Sequence, residues 1–199
     1  MGRSSHYFSP SPDVPSRPST VRLDLPDLSL ALRTDRGVFS GDRIDPGTRY
    51  LLTAAPAPPG GGLLADIGCG YGPIALTLAT RSPGATVWAV DVNERALELT
   101  RANAAAAGLE NVRVATPDAV PDDVRLAALW SNPPVRVGKA ALHDLLDRWL
   151  GRLDTAGTAL LVVQKNLGSD SLHRWLEARE WSVTRLGSRA GYRLLEVRG

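Results

Sequence analysis

From Leu63 to Gln164 the chain alternates short apolar runs with longer stretches of helical periodicity, and no other feature constrains the fold as strongly. The runs LLADIG, ATVWAVD, NVRVAT, LAALWS and TALLVVQ have the length of strands and are apolar almost throughout. Strands of that kind are buried on both faces. Between them lie GPIALTLATRS, with Pro73 in its first turn, then NERALELTRANAAAAGL, closed by Gly108, then AALHDLLDRWLGRL. A further helix, SDSLHRWLEAREW, opens on a Ser/Asp cap. Such alternation predicts an α/β fold, a mostly parallel sheet with helices on both faces. The tail, SVTRLGSRAGYRLLEVRG, reads as two strands around a glycine turn, an antiparallel hairpin at the sheet edge.

The segment ahead of this pattern is less regular. Residues 1–20 are rich in Ser and Pro and read as a flexible arm, leaving 21–199 as a single domain. VRLDLPDLSLALRTD suggests short strands interrupted by Pro26, and Asp45-Pro46 reads as a helix start leading into 48–55. With 199 residues, 43% hydrophobic and 22% charged, the chain is an ordinary globular one. A lone cysteine, Cys69, excludes an internal disulfide framework and fits a reducing compartment. No run approaches a membrane span, and the N-terminus lacks the apolar stretch of a signal peptide, so the expected location is cytoplasmic. Net charge is +2, with a modest basic excess after Arg136 that favours a polyanionic partner only weakly.

ADIGCGYG sets Asp66, Gly68, Cys69, Gly70 and Gly72 between a strand and a helix. Glycines there let the backbone turn sharply and approach a ligand. Asp91 ends the next strand, where a carboxylate can accept hydrogen bonds from a ribose diol. Nicotinamide-binding loops share this layout but space their glycines differently, and an acid at Asp66 disfavours a pyrophosphate. It suits a ligand with an ammonium or sulfonium centre, such as S-adenosylmethionine (SAM), which carries both and has no phosphate.

Ser131-Asn132-Pro133-Pro134 follows the fourth strand, whose carboxyl end faces the same crevice as the glycine loop in a doubly wound sheet. Taken alone it could simply end a strand. Beside the loop and Asp91, it reads as a grip for an amine attached to a base or amide. The Asn132 side-chain oxygen and the Pro133 carbonyl can take the two amine hydrogens, aim the nitrogen at a sulfonium methyl and stabilise the charge that develops. Such direct transfer needs no metal, no covalent nucleophile and no strong base.

DIGCGYGPIAL, VDVNERALELTRANAAAAGL, SNPPVRVGK and VVQKNLGSDSL together resemble the class I SAM-dependent methyltransferases of the "methyltransferase small domain" group. Within it the nearest likeness is to the small-subunit (16S) ribosomal RNA guanine-N2 methyltransferases (RsmC-like), and GVFSGDRIDPGTRYLL is similar to the element that precedes the loop in that group. The resemblance implies a Rossmann-like fold with a seven-stranded sheet, SAM as cofactor with S-adenosylhomocysteine as product, and ribosomal RNA or the small ribosomal subunit as partner. Carried over by position, it implies that Asp66, Gly68, Cys69, Gly70 and Gly72 surround the methionine end of SAM, that Asp91 binds the ribose, and that Val92 lies on the adenine. Asp118, with Ala119 beside it, would reach the adenine amino group. Asn132, Pro133 and Pro134 would hold the target amine, while Phe39, Asp45 and Thr48 would close the pocket from the N-terminal side.

Many amino-methyltransferases carry an aromatic residue after Asn-Pro-Pro that stacks on the base; this chain has Val135. Larger enzymes of the group also have a second domain ahead of the catalytic one, so here substrate recognition is expected from the catalytic domain, with Arg136, Lys139, Lys165 and Arg189 as candidate phosphate contacts. Two alternatives share the acceptor geometry or the fold: protein glutamine-N5 methylation, and transfer to a small molecule. His6, His143 and His173 have no metal-ligand spacing, and Trp149, Trp175 and Trp181 read as packing residues.

Overall fold

The expected alternation is present in a computed structural model that describes residues 14–199. His6 and most of the expected arm lie outside the described residues. Within that arm, the Ser16 hydroxyl donates to Asp35 at 2.6 Å, Arg95 donates to the Val14 carbonyl at 3.1 Å, and strand β1 (Ser19–Asp24) has already begun at Ser19. Strand β2 (Ser29–Thr34) pairs with β1 antiparallel as a separate two-stranded sheet, with Pro26 in the turn between them.

Helix α1 (Pro46–Ala54) starts at the Asp45-Pro46 step, as read from the sequence, because Asp45 is its cap and accepts from the Gly47 and Thr48 amides at 2.8 and 3.0 Å. The main unit then runs β3 (Gly61–Ile67), α2 (Pro73–Arg81), β4 (Gly84–Val90), α3 (Glu94–Ala106), β5 (Val112–Ala115), β6 (Leu126–Ser131), α4 (Lys139–Leu150), β7 (Leu153–Gln164), α5 (Ser169–Glu177), β8 (Ser182–Arg189) and β9 (Tyr192–Arg198). The seven strands of the main sheet are ordered β5-β4-β3-β6-β7-β9-β8, the first five mutually parallel and the last two an antiparallel hairpin. This is the Rossmann-like sheet anticipated from the sequence.

Burial explains the strand composition. Leu64, Ala65, Asp66 and Ile67 are buried in succession, since one core lies on the side of α1, α2 and α3 and the other on the side of α4 and α5. Strand β7 begins earlier than its apolar run suggests. Leu153 pairs with Leu126, and the ladder resumes at Ala128–Thr158 after an irregularity. At that point a Cβ on Gly157 would come within 2.6 Å of the Leu126 carbonyl. The chain leaves β3 toward β4 and β5, then crosses back so that β6 pairs on the opposite side of β3. In open α/β sheets this reversal opens a crevice beyond the carboxyl ends of the strands. It sets the glycine loop that follows β3 beside the Asn-Pro-Pro that follows β6.

Candidate functional site

The glycine loop is held open by Asp91. One carboxylate oxygen accepts from the Gly70 amide at 2.9 Å and the other from the Asn93 amide at 2.9 Å, while the Gly68 and Cys69 amides donate to the Val90 carbonyl. Gly68, Gly70 and Gly72 all have positive φ, of 77°, 56° and 96°, which a side chain resists. At Gly72 a Cβ would also fall 2.7 Å from Leu76. Burial pushes the Asp91 carboxyl above its ordinary range, although the Asn93, Gly70 and Val92 amides pull the other way. The carboxylate keeps acceptor capacity for a hydroxyl of a ligand.

Asp66 takes a different part from the one expected. It is fully buried and does not line the cavity; one oxygen accepts from the Ala75 amide at 2.9 Å, in the first turn of α2, and the other has no partner. It therefore supplies the cap that Gly72, at the helix start, cannot. Burial raises its carboxyl well above the usual range, opposed by the Ala75 amide and aided by the charge of Asp91. Cys69 and Gly72 likewise serve the loop and not the cavity: the Cys69 sulfur lies 3.8 Å from the Thr100 hydroxyl, and burial pushes its thiol well up.

Since the folded-state pKa of Asp66 is raised, its contribution to stability is present below the ordinary carboxylate range and is lost as pH rises through the folded value. Asp66→Asn removes that titration and can keep the bond from Ala75. Thermal melts from pH 4 to 8 should show the variant gaining on the wild-type chain as pH rises. A difference that stays flat with pH counts against a buried titrating acid.

On the other side of the crevice, Asn132 is fixed by residues far away in sequence. Its Nδ2 donates both hydrogens, to Asp45 Oδ1 at 2.8 Å and to the Thr48 hydroxyl at 3.1 Å. The amide therefore has one orientation, with its oxygen left free for a ligand. Asp45 and Thr48 thus hold Asn132, whereas the sequence suggested that they close the cofactor pocket; Asp45 still lines the cavity, and Thr48 is buried behind it. Tyr192 lies beside Asp45, and burial together with that charge raises its phenol above the ordinary value; Gly47 leaves room for its ring, where a Cβ would sit 2.5 Å from it. The Pro133 carbonyl accepts from the Val135 amide at 2.8 Å around Pro134, whose φ of −75° and ψ of 71° make an inverse γ-turn. The turn fixes its direction and leaves it a second lone pair.

Asp45→Asn tests this arrangement. The new amide would turn a hydrogen toward Asn132 or leave α1 uncapped, so Asn132 loses its single orientation. We expect kcat to fall about tenfold or more, in line with the ~1.5–3 kcal/mol of a hydrogen bond to a charged group, with little change in SAM affinity. Equal losses in kcat and SAM binding in titration calorimetry would instead put Asp45 on the cofactor.

The two sides enclose a cavity of about 560 Å³. Phe39, Gly68, Gly70, Asp91 and Val92 line it together with Asn132, Pro133, Pro134, Val135 and Arg136, and the two groups meet where Gly68 lies beside Pro134. Phe39 and Val92 are exposed at 40% and 39%, large apolar groups at an open mouth. Asp118 turns outward: its side chain is 92% exposed and pairs with Arg148 at 2.9 Å, and neither it nor Ala119 lines the cavity, although Pro117 does. Lys139, Lys165 and Arg189 are also absent from the wall, leaving Arg136 as the expected phosphate contact that reaches it. Sequence reasoning missed Gln164 and Tyr192, and it assigned Trp149 to packing; Trp149 is buried yet borders the cavity with Leu145. His143 and Trp175 stack at 3.9 Å without lining it. Among the described residues, no group of three or more His, Cys, Asp or Glu could hold a metal, and no helix is long and apolar enough to cross a membrane.

Comparison with known proteins decides the family. The sequence pattern of the methyltransferase small domain matches residues 29–196. The chain belongs to the methyltransferase small-domain family. It is 34% identical over 198 residues to the uncharacterized protein YbxB of Bacillus subtilis, covering 98% of both chains. It is 36% identical over 143 residues to the ribosomal RNA small subunit methyltransferase C of Pseudomonas aeruginosa, covering 71% of this chain but only 42% of that one. Among solved structures, the 16S rRNA N2 G1207 methyltransferase RsmC of T. thermophilus, in complex with AdoMet and guanosine, superposes with a TM-score of 0.73 at 22% identity. That likeness covers 94% of this chain and 52% of the other, and it is one of fold. The residues present fit SAM, the methyl donor that the sequence resemblance implies. Asp91 offers carboxylate oxygens on the cavity wall that could accept from a diol, glycines without Cβ atoms leave the loop open, and Val92, Pro117 and Leu145 give the cavity an apolar wall that could take a purine.

Proposed function

We propose that the protein methylates the N2 amine of a guanine in small-subunit (16S) ribosomal RNA, working in the cytoplasm. The observation that carries this reading is the way Asn132 is held on the cavity wall, with both amide hydrogens committed to Asp45 and Thr48 and the oxygen left as an acceptor for a ligand. An exocyclic amine has two hydrogens to give, and Asn132 Oδ1 and the Pro133 carbonyl are two acceptors for them. Similarity to ribosomal RNA small subunit methyltransferase C supports the choice of substrate, although the chain spans less than half of that relative.

Bound SAM supplies an electrophilic methyl group on a sulfonium centre. The chain provides the placement. Asn132 and Pro133 hold the amine in the plane their acceptors define, so that the nitrogen faces the neighbouring glycine loop, Gly68 and Gly70. The same acceptors stabilise the positive charge that grows on nitrogen, and being held in advance they need no reorganisation. The surplus proton rests against Asn132 Oδ1 until water takes it, so no strong base is required. Arg136, at the acceptor end, can meet a phosphate of the RNA.

The test is transfer of labelled methyl from SAM into unmodified small subunits, naked ribosomal RNA and a protein extract, followed by nucleoside analysis. N2-methylguanosine in RNA is the expected product. Label confined to protein would replace this reading with side-chain amide methylation.

A further inference from the structure

Among the described residues, the acceptor end of the cavity holds one carboxamide that the protein's own hydrogen bonds leave unused. Gln164 closes β7, lines the cavity, is half-buried, and makes no side-chain hydrogen bond. Alternation along the strand puts it on the same face as Val162, which also lines the cavity and packs in the core beneath α1. Its side chain is thus on the face that carries Asp45 and Asn132. Across the ladder its register partner is Tyr192, again on the cavity wall and close to Asp45, whose charge helps raise the phenol.

The register also sets the distance from the amine grip. Ser131 pairs with Leu161, so Asn132 stands level with Val162, and Gln164 is two residues farther along the neighbouring strand. With strand rise and spacing at their usual values, the two Cα atoms are ~8 Å apart. A planar ring with a hydrogen bond at either end fits between their side chains.

We propose that Gln164, with the Tyr192 ring beside it, is the specificity-determining subsite of this enzyme and reads the lactam edge of a guanine whose amine is held at Asn132. The inference rests on the proposed function and names the atoms that select the base. Next to its N2 amine guanine offers a donor, N1–H, and then an acceptor, O6. A glutamine side chain offers the complement, an acceptor oxygen and a donor nitrogen. Adenine held by its N6 amine places a bare ring acceptor at the first of these positions and leaves the glutamine oxygen unmatched. A protein carboxamide has no edge to read. Tyr192 contributes a flat aromatic surface to the acceptor end, where the residue after Asn-Pro-Pro is the aliphatic Val135.

A site built to pair with polar groups of its substrate rejects an analogue lacking them strongly. The experiment compares the wild-type chain with Gln164→Leu, which keeps the bulk, and Gln164→Glu, which keeps acceptors but loses the donor. Each is assayed for SAM affinity, for kcat/KM on unmodified small subunits, and for competitive inhibition by guanosine against 2-aminopurine riboside, which keeps the N2 amine but lacks N1–H and O6. We expect unchanged SAM affinity in all three, a loss of 10- to 100-fold in kcat/KM for Gln164→Leu, and a guanosine preference that is clear in the wild-type chain and abolished by the leucine. Gln164→Glu should fall between them. If Gln164→Leu keeps both its kcat/KM and the guanosine preference while the wild-type chain makes N2-methylguanosine, the subsite is wrong and the proposed function stands. If the wild-type chain places no methyl on guanine N2, the proposed function fails and this inference with it.

Discussion

Asn132→Ala should abolish most methyl transfer, lowering kcat by roughly 10²–10³-fold, the usual cost of removing one preorganised group that meets transition-state charge. SAM affinity should stay within about twofold, because the committed contacts of Asn132 run to Asp45 and Thr48 on α1, away from the glycine loop. The reason for so large an effect is that the free oxygen of Asn132 is aimed before the substrate arrives. Stability should fall modestly, since Asp45 also bonds the Gly47 and Thr48 amides and α1 keeps its cap. Asn132→Asp is the sharper companion. It puts a second carboxyl 2.8 Å from Asp45 Oδ1, where both cannot stay ionised. That variant should show activity that rises as pH falls and a proton becomes available to be shared. Single-turnover assays with calorimetric SAM titration check both variants, and a large loss of SAM binding in Asn132→Ala would sink the amine-holding role.

How far the sequence disclosed this site depends on the kind of contact. Strands, helices and the final hairpin were legible because burial on one face leaves a period in the residues and burial on both faces leaves a short unbroken run, as in Leu64–Ile67. The glycine loop and Asn-Pro-Pro were legible because unusual backbone demands unusual residues. Contacts between distant segments leave no such trace. Asp45 and Asn132 are 87 residues apart and nothing local to either announces their hydrogen bond. Asp66 shows the opposite hazard: two residues before the first glycine it looked like a ligand for a cation, yet its alternation in β3 points it under α2. Asp118 sits in a short turn, Pro117–Ala119, whose side-chain directions no period fixes, and it faces Arg148 in solvent. Gln164 and Tyr192 were passed over because the end of a strand gives no clue to what it faces until the neighbour order is known.

The second large effect concerns the cofactor. Asp91→Ala should weaken SAM and S-adenosylhomocysteine equally, since both carry the ribose, and by about 10- to 100-fold. Hydrogen bonds to a charged group contribute ~1.5–3 kcal/mol, and a diol engages both oxygens of this carboxylate. The loss has a second source. Those oxygens also receive the Gly70 and Asn93 amides, so removing them frees the loop whose positive-φ glycines shape the cavity. Asp91→Asn does not repair this, because its NH₂ would confront one of the two amides, so it should bind SAM nearly as poorly as the alanine. Charge adds a pH signature. Burial raises the Asp91 carboxyl, and the ionised form is the one that accepts from the diol while holding the loop. In the wild-type chain SAM affinity should therefore decline as pH falls through that raised value, whereas in Asp91→Ala the decline should be absent. Calorimetric titrations of both ligands across pH 5 to 8 separate the cases. Normal SAM affinity in Asp91→Ala would remove the ribose contact, and an unaltered pH dependence in the variant would assign the titration to another group of the cavity.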